Sequence, residues 1–330
     1  MTILVFLDPA HPAGRLADAA TPTILATDQG VTRGDGVFES LLAIDGVPRK
    51  IQAHLARLAV SARTMDLTIP SAATWQAAIT TALTAYAATA ASPATDVPAT
   101  DDGGSGPAGA AAAASSAGGS APAEDQCVVK LIATRGPEGG NSPTAWVTVS
   151  AVSPSLAVQR EKGLAVMLLE RGYDSDLAAR APWLLMGAKT LSYAVNMAAL
   201  RHAHSQGADD VIFTSSDELV LEGPTSSVLL AHISDDSGVP VKRLITPHLD
   251  TGILPGTTQG ALFAAAKAAG WELGYGPVTP ADLLDADAVW LISSLRLLAP
   301  VNTIDGHEVG AAAIRAELTS ELAALLAQTL

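Results

Sequence analysis

Residues 92–125 are the part of the sequence that most limits how this chain can fold. They contain only Ala, Gly, Ser, Pro, Thr, Asp, Glu and one Val, with no aromatic residue and no Leu, Ile, Lys or Arg. Such a segment cannot bury enough apolar surface to offset the conformational entropy that it would lose on ordering. We therefore predict that residues 92–125 are a disordered low-complexity insertion and that the folded protein is built from the sequence on either side.

The composition of the whole chain indicates a globular protein and disfavours several classes of function. Of its 330 residues 48% are apolar, so a sizeable core is available, and the net charge of −14 disfavours a nucleic-acid partner. The single cysteine, Cys127, can form neither an internal disulfide nor a cysteine-rich metal site. No signal peptide is indicated, and the best candidate for a membrane span, residues 182–200, contains Lys189. We therefore predict a cytoplasmic protein that binds neither a membrane nor nucleic acid.

We predict an α+β protein with two domains, a small α+β domain at residues 1–155 and a larger domain at 156–330. The boundary lies at residues 153–163, which are polar, contain proline and are interpreted as a linker. Apolar periodicity and turn residues predict the elements of the first domain: strands at 37–44, 126–133 and 145–151, a hairpin turn at 45–46 with a return strand from 49–51, and helices at 53–66 and 73–86. The same criteria predict the elements of the second: strands at 164–169, 211–214, 219–221, 226–233, 288–292 and 301–304, and helices at 191–206, 262–269 and 311–328.

Lys189 is the first residue that indicates chemistry. The common motifs for metal ions, nucleotides and serine hydrolases are absent, so we predict no metal site. Lys189 is the only charged residue between positions 182 and 200. A lysine in apolar surroundings has a lowered pKa, which makes its amine a nucleophile able to form a Schiff base. The alternative is a lysine at a helix start whose ammonium reaches out to solvent.

Three further segments carry groups that could bind a charged ligand. Glu222 ends a predicted strand and is either a buried acid or an exposed turn residue. Thr257 and Thr258 lead into a predicted helix, whose N-terminus could bind an anion or simply be capped by a hydroxyl. Ser293 and Ser294 follow another strand. A lysine, an acid and hydroxyl-rich anion loops are what a pyridoxal phosphate site needs.

These segments belong to a longer pattern that resembles a known family. Its motifs are, in chain order, RGDGVFESLLAIDG at 33–46, HLARLAVSA at 54–62, TRG at 134–136, GAKTLSYAVNMAALRHA at 187–203, LEGPTSSV at 221–228, ILPGTTQ at 253–259 and ISSLRLLAPV at 292–301. With these motifs the chain resembles the class IV, D-amino-acid-aminotransferase-like pyridoxal phosphate enzymes. The resemblance implies a small α+β domain, a larger pseudo-barrel domain, pyridoxal 5'-phosphate between them and a homodimer.

The resemblance also implies roles for individual residues. Lys189 matches the Schiff-base lysine and Glu222 matches the acid at the pyridine nitrogen, so these two are the expected catalytic residues. Arg57 matches the arginine that binds the cofactor phosphate. The hydroxyls expected to help hold the cofactor are those of Ser226, Thr257, Thr258, Ser293 and Ser294.

Three residues are expected to contact the substrate. Arg135 matches an arginine that meets the substrate carboxylate in D-amino-acid aminotransferases, and Arg33 lies in the first motif. Val31 stands where those aminotransferases usually have a tyrosine. This departure disfavours a dedicated transaminase.

Within the family, the run SLRLLAPV at 294–301 is most similar to actinobacterial-type 4-amino-4-deoxychorismate lyases. The resemblance implies a small-molecule substrate, 4-amino-4-deoxychorismate, which is converted to 4-aminobenzoate and pyruvate in folate biosynthesis. The alternative is a D-amino-acid or branched-chain aminotransferase that uses the same Lys189 and Glu222. A binding protein without catalysis is disfavoured because both residues are present, and a partner-docking scaffold has only the acidic composition and the insertion in its support.

Overall fold

A computed structural model describes residues 1–90 and 125–330. Apart from Asp125, the predicted insertion at 92–125 lies outside the described residues. Within the described ranges two β-sheets pack against helices, which confirms the predicted α+β fold class. No helix in this part of the chain is both long and apolar enough to cross a membrane.

The first half of the chain forms an antiparallel sheet with two long helices on one face. Its elements are β1 (Thr2–Asp8), β2 (His11–Ala17), α1 (Gln29–Arg33), β3 (Gly36–Ile44), β4 (Val47–Pro48), α2 (Ile51–Thr64), α3 (Ala72–Ala90), β5 (Gln126–Thr134) and β6 (Thr144–Ala151). The strands lie in the order β2-β1-β6-β5-β3-β4. Successive side chains of β3 point to opposite faces, so Leu41 enters the core while Phe38 and Ser40 face the second half.

The core of this half forms where α2 and α3 cover the sheet. Leu58 of α2 and Trp75 of α3 are almost fully buried in one cluster with Leu131 of β5. The helices bury one face because apolar residues recur every three or four positions along them. The opposite face of α2 carries exposed residues such as Val60, which is 49% exposed.

The second half forms a mixed sheet that is buried on both faces. Its elements are α4 (Pro154–Lys162), β7 (Leu164–Glu170), α5 (Leu177–Arg180), α6 (Ala194–Ser205), β8 (Asp210–Thr214), β9 (Ser227–Asp236), β10 (Val239–Pro247), α7 (Thr257–Ala268), β11 (Glu272–Gly276), α8 (Pro280–Asp285), β12 (Ala288–Ser293), β13 (Leu297–Ile304), β14 (His307–Glu308) and α9 (Ala312–Ala327). The strand order is β11-β10-β9-β12-β13-β7-β8, with β14 paired to β13. Leu229 and Leu230 of β9 belong to two different core clusters, one on each face.

Two predictions about the elements are wrong. Residues 49–51 are not a return strand, because β4 is only Val47–Pro48 and the φ of 52° at Lys50 turns the chain into α2. Residues 153–163 are not a linker, because they contain α4. Pro154 is suited to the first turn of that helix, where a missing N–H removes no hydrogen bond, and Gly163 ends it with a φ of 75°.

Smaller differences concern element ends and weak strands. The predicted helix at 191–206 begins only at Ala194, and the predicted strand at 219–221 makes a single bridge between Val220 and Thr214. Strands β1, β2, β10 and β11 were not predicted from the sequence. Strand β2 is largely exposed and β10 begins exposed, so neither has the clean alternation of a half-buried strand.

Truncating Leu58 tests the core of the first half. We expect Leu58→Ala to lower the free energy of unfolding by about 2–5 kcal/mol, because it leaves a cavity between α2 and the sheet. The matched control is Val60→Ala on the exposed side of the same helix, for which we expect a change of roughly 0.5 kcal/mol or less. Urea denaturation followed by circular dichroism measures both free energies of unfolding, and equal losses would contradict the burial of Leu58 against the sheet.

Candidate active site

A cavity of about 860 Å³ lies between the two halves of the chain. Loops of the second half supply most of its wall, and Phe38, Ser40, Arg57, Lys130 and Ile132 close it on the side of the first sheet. Most of the predicted site residues meet here: Arg57, Lys189, Glu222, Ser226, Thr257, Thr258, Ser293 and Ser294. A large cleft with convergent polar groups is the usual form of a small-molecule site.

Lys189 is held in the cavity wall by its backbone. Its N–H donates to Oγ of Ser61 at 3.0 Å, and its carbonyl accepts from the N–H of Phe38 at 3.0 Å. The ammonium Nζ lies 4.6 Å from the centre of the Phe38 ring. Burial lowers the pKa of Lys189 to about 8, so near neutral pH a much larger fraction of the amine is free than in an ordinary lysine.

Glu222 lies in the loop between β8 and β9. Its Oε2 accepts a hydrogen bond from the N–H of Leu254 at 3.1 Å. Burial raises the pKa of the Glu222 carboxyl to about 7, although that hydrogen bond and the charge of Lys189 oppose the shift. A buried carboxyl with a single hydrogen-bond donor can accept a proton or an N–H from a ligand.

Tyr193 and Asn196 are two further residues of the cavity wall, and neither was predicted from the sequence as a site residue. Both donate to the carbonyl of Pro224, Tyr193 through its hydroxyl at 2.6 Å and Asn196 through its amide at 2.8 Å. They thereby fix the turn that follows Glu222. Their spacing could have indicated that they act together, because residues three apart at the start of a helix lie on the same face.

The hydroxyls of Thr257, Thr258 and Ser294 lie together at the N-terminus of α7. Oγ of Ser294 is 3.2 Å from Oγ1 of Thr257 and 3.0 Å from Oγ1 of Thr258. No described side chain caps this helix, and a Cβ at Gly256 would lie only 2.6 Å from Oγ of Ser227. The backbone N–H groups and hydroxyls at such a helix start form an anion site.

A buried carboxylate faces this hydroxyl cluster from the first half. Glu39 accepts from Nε and Nη2 of Arg57 at 2.7 and 2.8 Å and bonds Nδ1 of His54 at 2.7 Å. Nε2 of His54 lies 3.1 Å from Oγ of Ser294, so the network reaches the anion site. Burial raises the pKa of Glu39, but the hydrogen bonds from Arg57 and His54 outweigh it and lower the pKa to about 2.

Arg57 was predicted from the sequence as a site residue, whereas Glu39 and His54 were not. Glu39 is the only charged residue of β3, and a charge in an apolar strand requires a buried partner. His54 and Arg57 are three apart on α2 and share a face. Arg57 also donates to the carbonyl of Pro255 at 2.8 Å, which connects the two halves of the chain.

Arg296 supports the loop that follows β12. Its guanidinium pairs with Asp210 and donates to Oγ of Ser226 at 3.3 Å. Its Nε donates to Oε1 of Gln159 at 3.0 Å. Because Gln159 lies on α4, the helix that replaces the predicted linker helps to hold the site.

The three residues expected to contact the substrate do not line this cavity. Arg135 donates through Nε to Asp35 at 2.7 Å, and Arg33 bonds the exposed Glu138 at 2.6 Å. Val31 is 65% exposed. Contact between these residues and a substrate therefore stays a prediction.

The groups that do meet in the cavity fit pyridoxal 5'-phosphate. The hydroxyl cluster and Arg57 suit a phosphate, the carboxyl of Glu222 suits a pyridine nitrogen, and the amine of Lys189 suits an aldehyde. Residues 1–90 and 125–330 contain no cluster of three metal-ligating side chains.

Comparison with known proteins agrees with this fit. The sequence profile of the family described as amino-transferase class IV matches residues 36–304. The chain belongs to the class IV aminotransferases. Pyridoxal phosphate is therefore its cofactor, and a solved relative carries the same group.

Relatives cover nearly the whole chain. The bifunctional aminodeoxychorismate lyase/D-amino acid transaminase of Mycobacterium tuberculosis is 40% identical over 309 residues, which are 94% of this chain and 95% of that protein. The PLP-bound structure of a hypothetical aminotransferase from Mycobacterium tuberculosis has a TM-score of 0.81 at 37% identity and covers 100% of this chain and 98% of that one. A fold IV transaminase from Curtobacterium pusillum has a TM-score of 0.80 at 39% identity, with 99% of each chain covered. The predicted class IV fold is confirmed.

Neutralising Glu39 tests the network behind the anion site. We expect Glu39→Gln to raise the dissociation constant of pyridoxal phosphate on the order of tenfold, because an amide holds Arg57 less firmly than a carboxylate does. Fluorescence titration of the cofactor-free protein measures this constant. The control is Glu317→Gln, an exposed position of α9, and unchanged cofactor affinity in both variants would contradict the role of Glu39.

The raised pKa of Glu222 predicts a pH-dependent cost to stability. The pKa is about 7 in the folded chain and 4.5 in an ordinary glutamate, so the ionised carboxylate opposes folding above pH 7 and this cost is lost by pH 4.5. We expect Glu222→Gln to raise the Tm of the cofactor-free protein near pH 8 and to leave it unchanged near pH 4.5. Thermal unfolding measures both values, and a lower Tm of the variant at pH 8 would contradict the raised pKa.

Proposed function

We propose that the protein is a pyridoxal phosphate-dependent 4-amino-4-deoxychorismate lyase that forms 4-aminobenzoate and pyruvate for folate biosynthesis. The observation that carries the proposal is the cavity itself, in which Lys189, with a pKa of about 8, shares a wall with an acid and a hydroxyl-lined anion site. The similarity to the bifunctional lyase and transaminase of Mycobacterium tuberculosis over 94% of the chain supports it.

The proposed reaction breaks the C–O bond between the ring and the enolpyruvyl group. Lys189 would remove the proton from the carbon that bears the substrate amine, because burial keeps part of its amine free to act as a base. The bound cofactor supplies an electron sink for the electron pair left on that carbon. When the electron pair forms a new double bond in the ring, the C–O bond breaks with its electrons on oxygen and the ring becomes aromatic. The released enolate takes up a proton on carbon to become pyruvate.

The other residues would hold the reacting groups in place. Glu222 would keep a proton on the ring nitrogen of the cofactor, since Leu254 donates to one of its oxygens and no described group donates to the other. Tyr193 and Asn196 would keep Glu222 in position through the carbonyl that they share. The cofactor, chiefly through its phosphate group, would be held by Arg57, Ser226, Thr257, Thr258, Ser293 and Ser294.

A D-amino-acid transaminase is the second candidate. It is favoured by the name of the same relative and by the similarity to a fold IV transaminase. Lys189 and Glu222 would serve both reactions, because the lyase reaction and the transaminase reaction both begin with loss of a proton from the carbon that bears the amine. A branched-chain aminotransferase would use the same two residues.

We further propose that the enzyme is a cytoplasmic homodimer. Trp183 and Val195, next in the chain to cavity residues, are 74% and 61% exposed, and a second copy would bury them. The cavity of the same chain is not lined by Arg135, Arg33 or Val31. In a dimer, these three residues would contact a substrate bound in the cavity of the second copy. The single cysteine suits a reducing compartment.

The decisive assay gives the purified enzyme two sets of substrates. We expect 4-amino-4-deoxychorismate alone to yield equal amounts of 4-aminobenzoate and pyruvate, both measured by chromatography. D-alanine with 2-oxoglutarate tests the second candidate in a separate reaction. Lys189→Ala should abolish product formation in either reaction, because the nucleophilic amine and the base are the same group.

Chemical labelling locates the reactive amine independently of turnover. Borohydride should fix the cofactor to one peptide, and mass spectrometry should find the label on Lys189. A label on another lysine would contradict the site. Transaminase products without 4-aminobenzoate would select the second candidate.

A further inference from the structure

Lys130 lines the cavity from the first sheet. It lies on β5, where it pairs with Ser40 of β3 and Thr148 of β6. Because side chains alternate along a strand, Lys130 and Ile132 point to the cavity while Leu131 enters the core. The side chain of Lys130 is exposed in the open space of the site.

No described acid lies within ion-pairing distance of the Lys130 ammonium. In residues 1–90 and 125–330 its ammonium makes no hydrogen bond, no ion pair and no ring contact. Burial is the main cause of the lowered pKa of Lys189, and the positive charge of Lys130 adds to it. The arginines of the wall already have partners: Arg57 pairs with Glu39 at the proposed phosphate site, and Arg296 pairs with Asp210. Arg171 donates to Asn196 and lies over the ring of Phe213.

We infer that Lys130 binds a carboxylate of the substrate and so restricts this site to acids. The inference rests on the proposed function, because it concerns the substrate of the same cavity. It assigns the carboxylate contact within one chain to Lys130 rather than to Arg135, whose guanidinium is held by Asp35 outside the wall.

Electrostatics favour an anion at this place. Lys130 lines the same cavity as the amine of Lys189, so a carboxylate bound at Lys130 gains the attraction of its ammonium close to the reacting groups. The apolar side chains of Phe38 and Ile132 are part of the same wall and offer an anion no competing donor, and a hydrogen bond from an ammonium to a carboxylate is stronger than one between neutral groups. The substrate and the aromatic product of the proposed lyase, like every amino acid, carry a carboxylate.

The test measures ligand binding to the cofactor-loaded enzyme by calorimetry. The probes are 4-aminobenzoate and aniline, which differ only in the carboxylate. We expect Lys130→Gln to raise the dissociation constant of 4-aminobenzoate on the order of tenfold and to leave that of aniline unchanged. Lys130→Arg should restore most of the affinity for the acid. The control is Lys267→Gln, an exposed position of α7 outside the cavity, which should bind both probes as the parent enzyme does.

Three results would overturn the inference. The first is unchanged affinity of Lys130→Gln for the acid, and the second is an equal loss for acid and amine. The third is a loss confined to Arg135→Gln. The cofactor absorbance and the Tm of each variant show whether the site is intact.

Failure of the proposed lyase reaction would be seen separately, as absence of 4-aminobenzoate from the turnover assay. The binding comparison is then made with D-alanine and ethylamine, which also differ only in a carboxylate. If the parent enzyme binds neither acid more tightly than its amine counterpart, the inference is wrong whatever the reaction is.

Discussion

The ionised carboxylate of Glu39 is the group on which the arrangement of the site depends. It is 0% exposed, and a buried carboxylate is tolerated only when cationic and hydrogen-bonding partners surround it. Arg57 and His54 supply those partners from one face of α2, so the helix must pack on β3 in a single register. The same two side chains then reach Pro255 and Ser294 in the second half. One desolvated charge thus aligns both walls of the cavity.

Lys189 and Glu222 show the opposite arrangement. Each lies in surroundings that disfavour its charge, and neither is given an ion-pair partner within hydrogen-bonding distance among the described residues. Such groups reduce the stability of the empty site, but they leave an amine and a carboxyl free for a ligand. Glu39 therefore fixes the geometry of the site, whereas Lys189 and Glu222 provide the amine and the carboxyl that are available to bind a cofactor.

Some secondary-structure elements were predicted accurately from the sequence and others were not, and the difference has a physical cause. Strands β3, β5 and β6 were predicted within a residue or two, because one face is buried and their apolar residues alternate. The sequence of helix α4 predicts a linker because none of its residues is fully buried, so the helix lacks an apolar stripe. Its value to the site comes from Gln159, a polar residue whose contact with Arg296 spans 137 positions of the chain.

The sequence by itself determined which chemical groups the protein has. The isolated Lys189, the acid at Glu222 and the hydroxyl-rich segments were visible because they are local departures from an apolar background. Only the tertiary structure decided which charges are paired. The register of β5 against β3 places Lys130 in the cavity. The fold pairs Arg135 with Asp35, whereas no acid among residues 1–90 and 125–330 pairs with Lys130. Whether two charged side chains form an ion pair depends on the distance between segments that are far apart in the chain. A local pattern of residues does not predict that distance.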